Sequence, residues 1–148
     1  LGYNDVNTSE WYMPFIKTAQ KLNFQTPILN KSKSNFRPNQ AVTRAELYKI
    51  FVELANNNTR NDLQFETDYF LTNQPFKDTQ IDSNTDWFTP YAGIAQKEFH
   101  GTNFARKYYG SFQLNNSNSN FSPNKKITKE EFAEFLYETK KLRLVKYK

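Results

Sequence analysis

Hydrophobic residues recur at helical spacing in four segments of the chain. The first segment runs from about Glu10 to Leu22, and the third runs from about Asp86 to Phe99. Each places aromatic and aliphatic residues three or four positions apart, which predicts a helix with one face in a core. The predicted inward residues are Trp11, Phe15, Ala19 and Leu22 in the first helix, and Trp87, Tyr91, Ile94 and Ala95 in the third.

The second and fourth segments open with the signature of a helix N-terminus. Thr43 with Glu46, and Thr128 with Glu131, have the Thr-x-x-Glu spacing of a capping box, in which each side chain binds the other residue's backbone N–H. Apolar stripes follow both boxes. They are Leu47, Ile50, Phe51 and Leu54 in one, and Phe132, Phe135, Leu136 and Leu142 in the other. The pattern therefore predicts an all-α protein with at least four helices.

The four helices belong to two repeats of one sequence pattern. Tyr3-Asn4-Asp5-Val6 is echoed by Phe76-Lys77-Asp78-Thr79, and Trp11-Tyr12-Met13-Pro14-Phe15 by Trp87-Phe88-Thr89-Pro90-Tyr91. Phe36-Arg37-Pro38-Asn39 recurs as Phe121-Ser122-Pro123-Asn124, and Val42-Thr43-Arg44-Ala45-Glu46 as Ile127-Thr128-Lys129-Glu130-Glu131. We predict a first repeat at 1–56, a linker at 57–75 that could hold a short helix, and a second repeat at 76–148 with a long inserted loop.

These motifs, in this order and twice over, resemble the repeat of the S-layer homology family. The resemblance covers Tyr3 to about Ala55 and Phe76 to about Leu142. It implies a non-catalytic, all-helical module, secreted and held at the bacterial cell wall or surface layer. Such repeats pack pseudo-symmetrically around a shared core and bind an anionic, often pyruvylated, cell-wall polysaccharide in the grooves between them. Three repeats are common in the family, so a third element would come from the linker, from another chain or from sequence outside this segment.

Composition narrows the partners further. The formal charge of +5 favours an acidic partner, but the basic residues are scattered, whereas nucleic-acid-binding proteins concentrate them on one element. No apolar run approaches the roughly 18–20 residues that span a bilayer, so membrane insertion is not expected. With no cysteine and only one histidine, His100, the chain offers neither a thiolate metal site nor a nucleophile–base pair. We therefore predict no enzyme activity, no metal and no cofactor.

Arg44 is the first candidate for ligand contact. A cation in the first turn of a helix faces the positive end of its dipole, which is unfavourable by about 0.3–1 kcal/mol, so capping does not explain it. A guanidinium beside free N–H groups would form a cradle for a carboxylate. Lys129 holds the equivalent place with a point charge, but Glu130 beside it would repel an anion. Replacing Arg44 by Ala is then expected to weaken glycan binding and to leave the helices intact.

Other candidates have two interpretations each. Trp11 and Trp87 could anchor the core or stack on sugar rings. Asp5 and Asp78 could cap the first helices or accept hydrogen bonds from sugar hydroxyls. A predicted loop at 106–109 mixes cations with aromatics, through Arg106, Lys107 and Tyr109, and could either meet an anionic glycan or cover the core. The leading prediction is a glycan-binding anchor, and the alternative is a module that self-assembles with neighbouring repeats or surface-layer subunits.

Overall fold

The computed structural model describes residues 3–21, 35–58, 76–79, 86–110 and 119–142. Within these ranges the chain forms five helices: α1 (Met13–Lys21), α2 (Arg44–Asn58), α3 (Thr89–Phe99), α4 (Asn103–Tyr109) and α5 (Lys129–Lys141). The same ranges contain no strand, only an isolated antiparallel bridge between Thr43 and Lys126. The all-α prediction is confirmed. Residues 59–75, which include most of the predicted linker and its short helix, lie outside the described residues.

The chain divides into two compact units, Leu1–Ala41 and Val42–Lys148. The first unit contains α1, which begins at Met13, later than the sequence pattern predicted. Met13 and Ile16 are its buried residues, whereas Trp11 and Phe15 are exposed. The prediction that Trp11 and Phe15 face the core is therefore wrong. The reason is that Trp11 precedes the helix, so the inward face is set by Met13 and Ile16, one turn apart.

The second unit has an aromatic core. Helix α2 packs against α3, and α4 packs against α5. Tyr48 of α2 lies with its ring centroid 5.1 Å from that of Phe135 on α5, and Phe135 stacks on Phe99 at 5.4 Å. Phe76 and Phe121 complete the cluster, 5.4 Å apart. Because aromatic rings bury large areas and attract one another at these distances, this cluster holds helices from both repeats together.

The two predicted capping boxes differ in the structure. At the start of α2 the box is complete, since Thr43 N–H donates to Glu46 Oε2 at 2.8 Å and Glu46 N–H donates to Thr43 Oγ1 at 3.3 Å. At the start of α5, Glu131 N–H donates to Thr128 Oγ1 at 3.0 Å. The Glu131 carboxylate, however, accepts from Arg44 rather than returning to Thr128. The second box is therefore one-sided, and its reciprocal half was predicted wrongly.

Helix α4 occupies the segment predicted as a loop. Thr102 is its N-cap, with its Oγ1 accepting from Ala105 N–H at 3.0 Å, and the buried side chains of Phe104 and Tyr109 fix it to the core. Gly101, at a φ of 75°, separates α4 from α3, and only glycine adopts this left-handed conformation without strain. The Thr102 cap directly after that glycine is the sequence signal that could have revealed α4.

The predicted inward stripe of α5 is also partly wrong. Phe135 is buried, but Phe132 and Leu136 are exposed. The buried face of α5 instead carries Glu131, Phe135, Glu138 and Thr139. Glu131 is drawn inward by its ion pair, which rotates the apolar stripe partly towards solvent.

Candidate functional site

Arg44 lies buried at the junction of the two repeats. Its Nε donates to Glu131 Oε1 at 2.9 Å, and its Nη1 donates to the Phe121 carbonyl at 2.6 Å. Nη2 lies 2.8 Å from the same Glu131 oxygen, off the line that a second hydrogen bond requires. The guanidinium carbon lies 4.9 Å from the Tyr109 ring centroid, and both ionic side chains are 1% exposed. A ligand in solvent therefore finds no exposed atom of Arg44.

Backbone donors at the start of α2 are occupied as well. Arg44 N–H donates to the Lys125 carbonyl at 2.9 Å, and Ala45 N–H donates to the Pro123 carbonyl at 3.0 Å. With Glu46 N–H held by the capping box, these N–H groups are not free for a ligand. The open carboxylate cradle inferred from the sequence is therefore absent at this helix start. Arg44, whose position capping did not explain, is the partner of Glu131.

Asp5 and Asp78 perform one structural task in both repeats. The two oxygens of Asp5 accept from Phe36 N–H and Arg37 N–H, each at 2.7 Å. Those of Asp78 accept from Phe121 N–H and from the N–H of the next residue, again at 2.7 Å each. Each carboxylate thus holds a Phe-x-Pro-Asn loop instead of capping a first helix. The capping interpretation is wrong, because both oxygens are used by the loop.

The clamped loops have a strained backbone. Arg37 and Ser122, which follow the two loop phenylalanines, have positive φ angles of 60° and 55°. A non-glycine residue in this conformation costs about 1 kcal/mol or more. Because a carboxylate accepts from two successive N–H groups at each loop, it offsets part of this cost. Partial desolvation acts against ionisation of Asp5, but the N–H donors of Phe36 and Arg37 outweigh it and lower the pKa of this carboxyl.

The two tryptophans stand in equivalent aromatic triads. Trp11 lies 5.7 Å from Tyr12 and 6.2 Å from Phe15, centroid to centroid. In the second repeat Trp87 lies 5.9 Å from Phe88 and 6.2 Å from Tyr91. Trp11 is 78% exposed and Trp87 is 53% exposed. The core-anchor interpretation of these two residues is therefore wrong, and each presents an indole surface to solvent.

A cation accompanies the second triad. Lys49 Nζ, from α2 of the first repeat, lies 5.7 Å from the Trp87 ring centroid. Such a position is attractive because the ring face carries negative electrostatic potential. Sequence reasoning missed Lys49, since nothing near it along the chain shows that Trp87 will lie beside it.

The remaining candidate residues differ in their exposure and in their bonding partners. Lys129 is exposed in the first turn of α5, and Arg106 is exposed with its Nη2 donating to the Gly101 carbonyl at 3.1 Å.

Lys107 binds two acids of α5, with its Nζ 2.7 Å from Glu130 Oε1 and in contact with Glu134. This pairing lowers the pKa of Glu130, but one ammonium shared by two carboxylates offsets only part of the charge that was expected to repel an anion from Lys129. Tyr109 is buried and shares a hydrogen bond with Tyr48, so it is a core residue.

Two other features are absent from the described part of the chain. There, no group of three acidic, histidine or cysteine side chains gathers as a metal site would require. Among the same residues, no helix combines the length and the apolar character needed to cross a bilayer. The two exposed aromatic triads, the second with Lys49 beside it, are the features best suited to a ligand.

Comparison with known proteins gives one family. The sequence model of the S-layer homology domain matches residues 2–47 and 115–133. Each matched range contains one Phe-x-Pro-Asn loop and one Thr-x-x-Glu helix start. In the structure an aspartate accepts hydrogen bonds from each loop, and a threonine caps each helix. No curated protein and no solved structure matches the chain.

Proposed function

Because the chain carries S-layer homology sequence in both of its repeats, we propose that it anchors at the bacterial cell wall by binding an anionic secondary cell-wall polysaccharide through its two aromatic triads. At the family level, S-layer homology domains are non-catalytic modules that attach proteins to the cell surface. The proposal adds to this a class of ligand and the residues that contact it.

The exposure of Trp11 and Trp87 is the observation that carries the proposal. A large apolar ring left in solvent loses the free energy that its burial would contribute, about 1.5–3 kcal/mol for a side chain of this class. The same exposed aromatic arrangement stands at the same place in both repeats, which scattered surface exposure would not produce. A sugar ring that stacks on the indole recovers this burial, and the indole N–H can bond a hydroxyl.

The charge near the second triad suits an acidic substituent on the sugar. Lys49 beside Trp87 places an ammonium where a carboxylate of a stacked sugar can reach it. Lys129 and Arg106 are exposed cations that we retain as further contacts. Arg44 acts indirectly in this proposal, since it fixes the start of α2, the helix that carries Lys49. Asp5 and Asp78 act indirectly as well, through the loops that they hold.

Sedimentation with purified cell-wall sacculi tests the proposal. The chain should sediment with intact sacculi and remain in solution after mild acid has removed the polysaccharide. Trp11→Ala and Trp87→Ala should each weaken binding about tenfold, which corresponds to about 1.4 kcal/mol. Tyr137→Ala is the matched control, because it removes an equally exposed aromatic ring outside both triads. Binding that survives removal of the polysaccharide would contradict the proposal and favour the alternative of a self-assembling protein module.

A further inference from the structure

The two aromatic triads differ in the charge beside them. Acidic residues occupy equivalent places before the two tryptophans: Asp5 and Glu10 in the first repeat, Asp78 and Asp86 in the second. A cation accompanies one triad, because Lys49 Nζ lies 5.7 Å from the Trp87 ring centroid, whereas no lysine or arginine of the described residues lies over the Trp11 ring. Lys49 is therefore the charge that distinguishes the second triad from the first.

The ammonium of Lys49 is available to an anion. Other lysines form ion pairs with glutamates of α5, namely Lys107, Lys125 and Lys141. Within the described ranges Lys49 has no carboxylate partner, and its distance from the ring is close to the roughly 6 Å limit of a cation–π contact. A hydrogen bond from an ammonium to a carboxylate is stronger than a cation–π contact at a partly solvated site, so Lys49 gains by binding a carboxylate.

The packing of α2 against α3 holds this ammonium beside the ring. Lys49 follows the buried Tyr48 in α2, and Trp87 lies two residues before α3 begins. The two helices are in contact through Phe51 and Phe99, whose ring centroids lie 6.5 Å apart. Lys49 is itself half-buried, which restricts its long side chain and reduces the entropy lost when it binds a ligand. The ring and the cation are therefore placed together before any ligand arrives.

The surroundings of the first triad disfavour an anion. Glu10 is exposed beside Trp11 and has no cation partner in the described part of the chain. Partial burial raises the pKa of the Tyr12 hydroxyl, and the negative charges of Glu10 and Asp5 raise it further. Arg37 offsets part of the charge of Asp5 but leaves that of Glu10. The same negative field repels a carboxylate stacked on Trp11, while the protonated Tyr12 hydroxyl can donate to a sugar hydroxyl.

We propose that the two triads are subsites of different selectivity: the triad of Trp87, with Lys49, binds a sugar that bears a carboxylate, and the triad of Trp11 binds an uncharged sugar. This inference rests on the proposed glycan binding and adds to it the residue that determines the charge of the bound sugar. A polysaccharide that contains both acidic and neutral sugars satisfies both subsites, whereas a uniformly anionic one satisfies only the second.

Fluorescence of single-tryptophan variants tests the two subsites separately. The chain has two tryptophans, so Trp11→Phe leaves Trp87 as the reporter and Trp87→Phe leaves Trp11. The probes are short fragments of the wall polysaccharide, used as released and after chemical reduction of their carboxyl groups to alcohols. Reduction should weaken binding at Trp87 about tenfold, through loss of one charge-assisted hydrogen bond, and should leave binding at Trp11 at least as strong. Added salt should weaken binding of the unreduced fragment at Trp87.

Substitutions of Lys49 assign the selectivity to this residue. In the Trp11→Phe background, Lys49→Gln should abolish the preference for the unreduced fragment and Lys49→Arg should retain it, a pattern that a purely structural role would not produce. Lys97→Gln is the matched control, since it removes an exposed lysine of α3 outside both triads. Equal affinity of Trp87 for the two fragments, or a preference that persists in Lys49→Gln, would overturn the inference and leave glycan binding intact. Failure of both tryptophans to respond to either fragment would contradict glycan binding itself, and the inference with it.

Discussion

Arg44 and Glu131, 87 positions apart in the sequence, form a buried ion pair that joins α2 of the first repeat to α5 of the second. Burial of two charges is costly, and the pair is tolerated because Arg44 also donates to the Phe121 carbonyl and lies against the Tyr109 ring. The second oxygen of Glu131 lies 3.8 Å from Lys125 Nζ, which adds a weaker attraction from the surface.

The ion pair predicts a large loss of stability in Arg44→Ala. The variant leaves the Glu131 carboxylate buried without its main partner, which costs about 3–5 kcal/mol. The midpoint of urea unfolding should therefore fall, with little change in the slope of the transition. The sequence alone predicted that the helices would tolerate this change, and the burial of Arg44 reverses that expectation.

A double variant distinguishes the effect of the two charges from the effect of the volume that the two side chains fill. Arg44→Met combined with Glu131→Leu removes both charges and keeps most of the volume, so it should recover most of the lost stability. If the double variant is no more stable than Arg44→Ala, the cost comes from packing or from the lost bond to Phe121, and the account of the charge pair is wrong.

The capping boxes predict a graded effect of two matched substitutions. Thr43→Ala removes the acceptor for Glu46 N–H and a side-chain bond to Glu46 Oε2, and it should cost about 0.5–2 kcal/mol. Thr128→Ala removes only the acceptor for Glu131 N–H, so the midpoint of urea unfolding should move less. If Thr128→Ala loses more stability than Thr43→Ala, the additional hydrogen bond of the complete capping box does not contribute to stability.

Some local features could be predicted from the sequence, whereas the long-range contacts could not. The Thr43 cap and the all-helical class depend on residues close together in the chain, so the sequence was sufficient to predict them. The partner of Arg44 could not be found, because nothing near Glu131 in the sequence shows that it turns away from Thr128. Likewise, an apolar stripe at helical spacing does not reveal whether Trp11 or Met13 faces inward, since a shift of the helix start exchanges the two.

The clamp by Asp5 predicts a pH-dependent opening of the loop at 36–37. The pKa of Asp5 is lowered in the folded chain, so the clamp contributes fully above the ordinary value of 3.8 and is lost as the pH falls below it. Amide hydrogen exchange of Phe36 and Arg37, compared with amides in α2, should show selective loss of protection as the pH falls through the lowered pKa of Asp5. Asp5→Asn should remove most of this pH dependence. Equal acid sensitivity in the variant would show that another group controls the loop.

The buried hydroxyl pair of Tyr48 and Tyr109 predicts coupled substitution energies. Their hydroxyls share a short hydrogen bond, and burial raises the pKa of both. Tyr48→Phe or Tyr109→Phe should each cost about 0.5–1.5 kcal/mol, since each breaks this bond. The double Phe variant should cost clearly less than the sum of the two, as measured by urea unfolding. Strict additivity would indicate that the two hydroxyls contribute independently.

The most direct test of glycan binding uses the tryptophans themselves. The chain has two of them, both exposed, so fluorescence excited at the red edge of the absorption band, where the nine tyrosines contribute little, reports on the two triads. Titration with polysaccharide released from the wall should move the emission to shorter wavelength and saturate, because stacking removes indole from water. Trp11→Phe and Trp87→Phe, measured separately, assign the change to each triad. Emission that stays unchanged at polysaccharide concentrations where sedimentation shows binding would contradict the proposed contact.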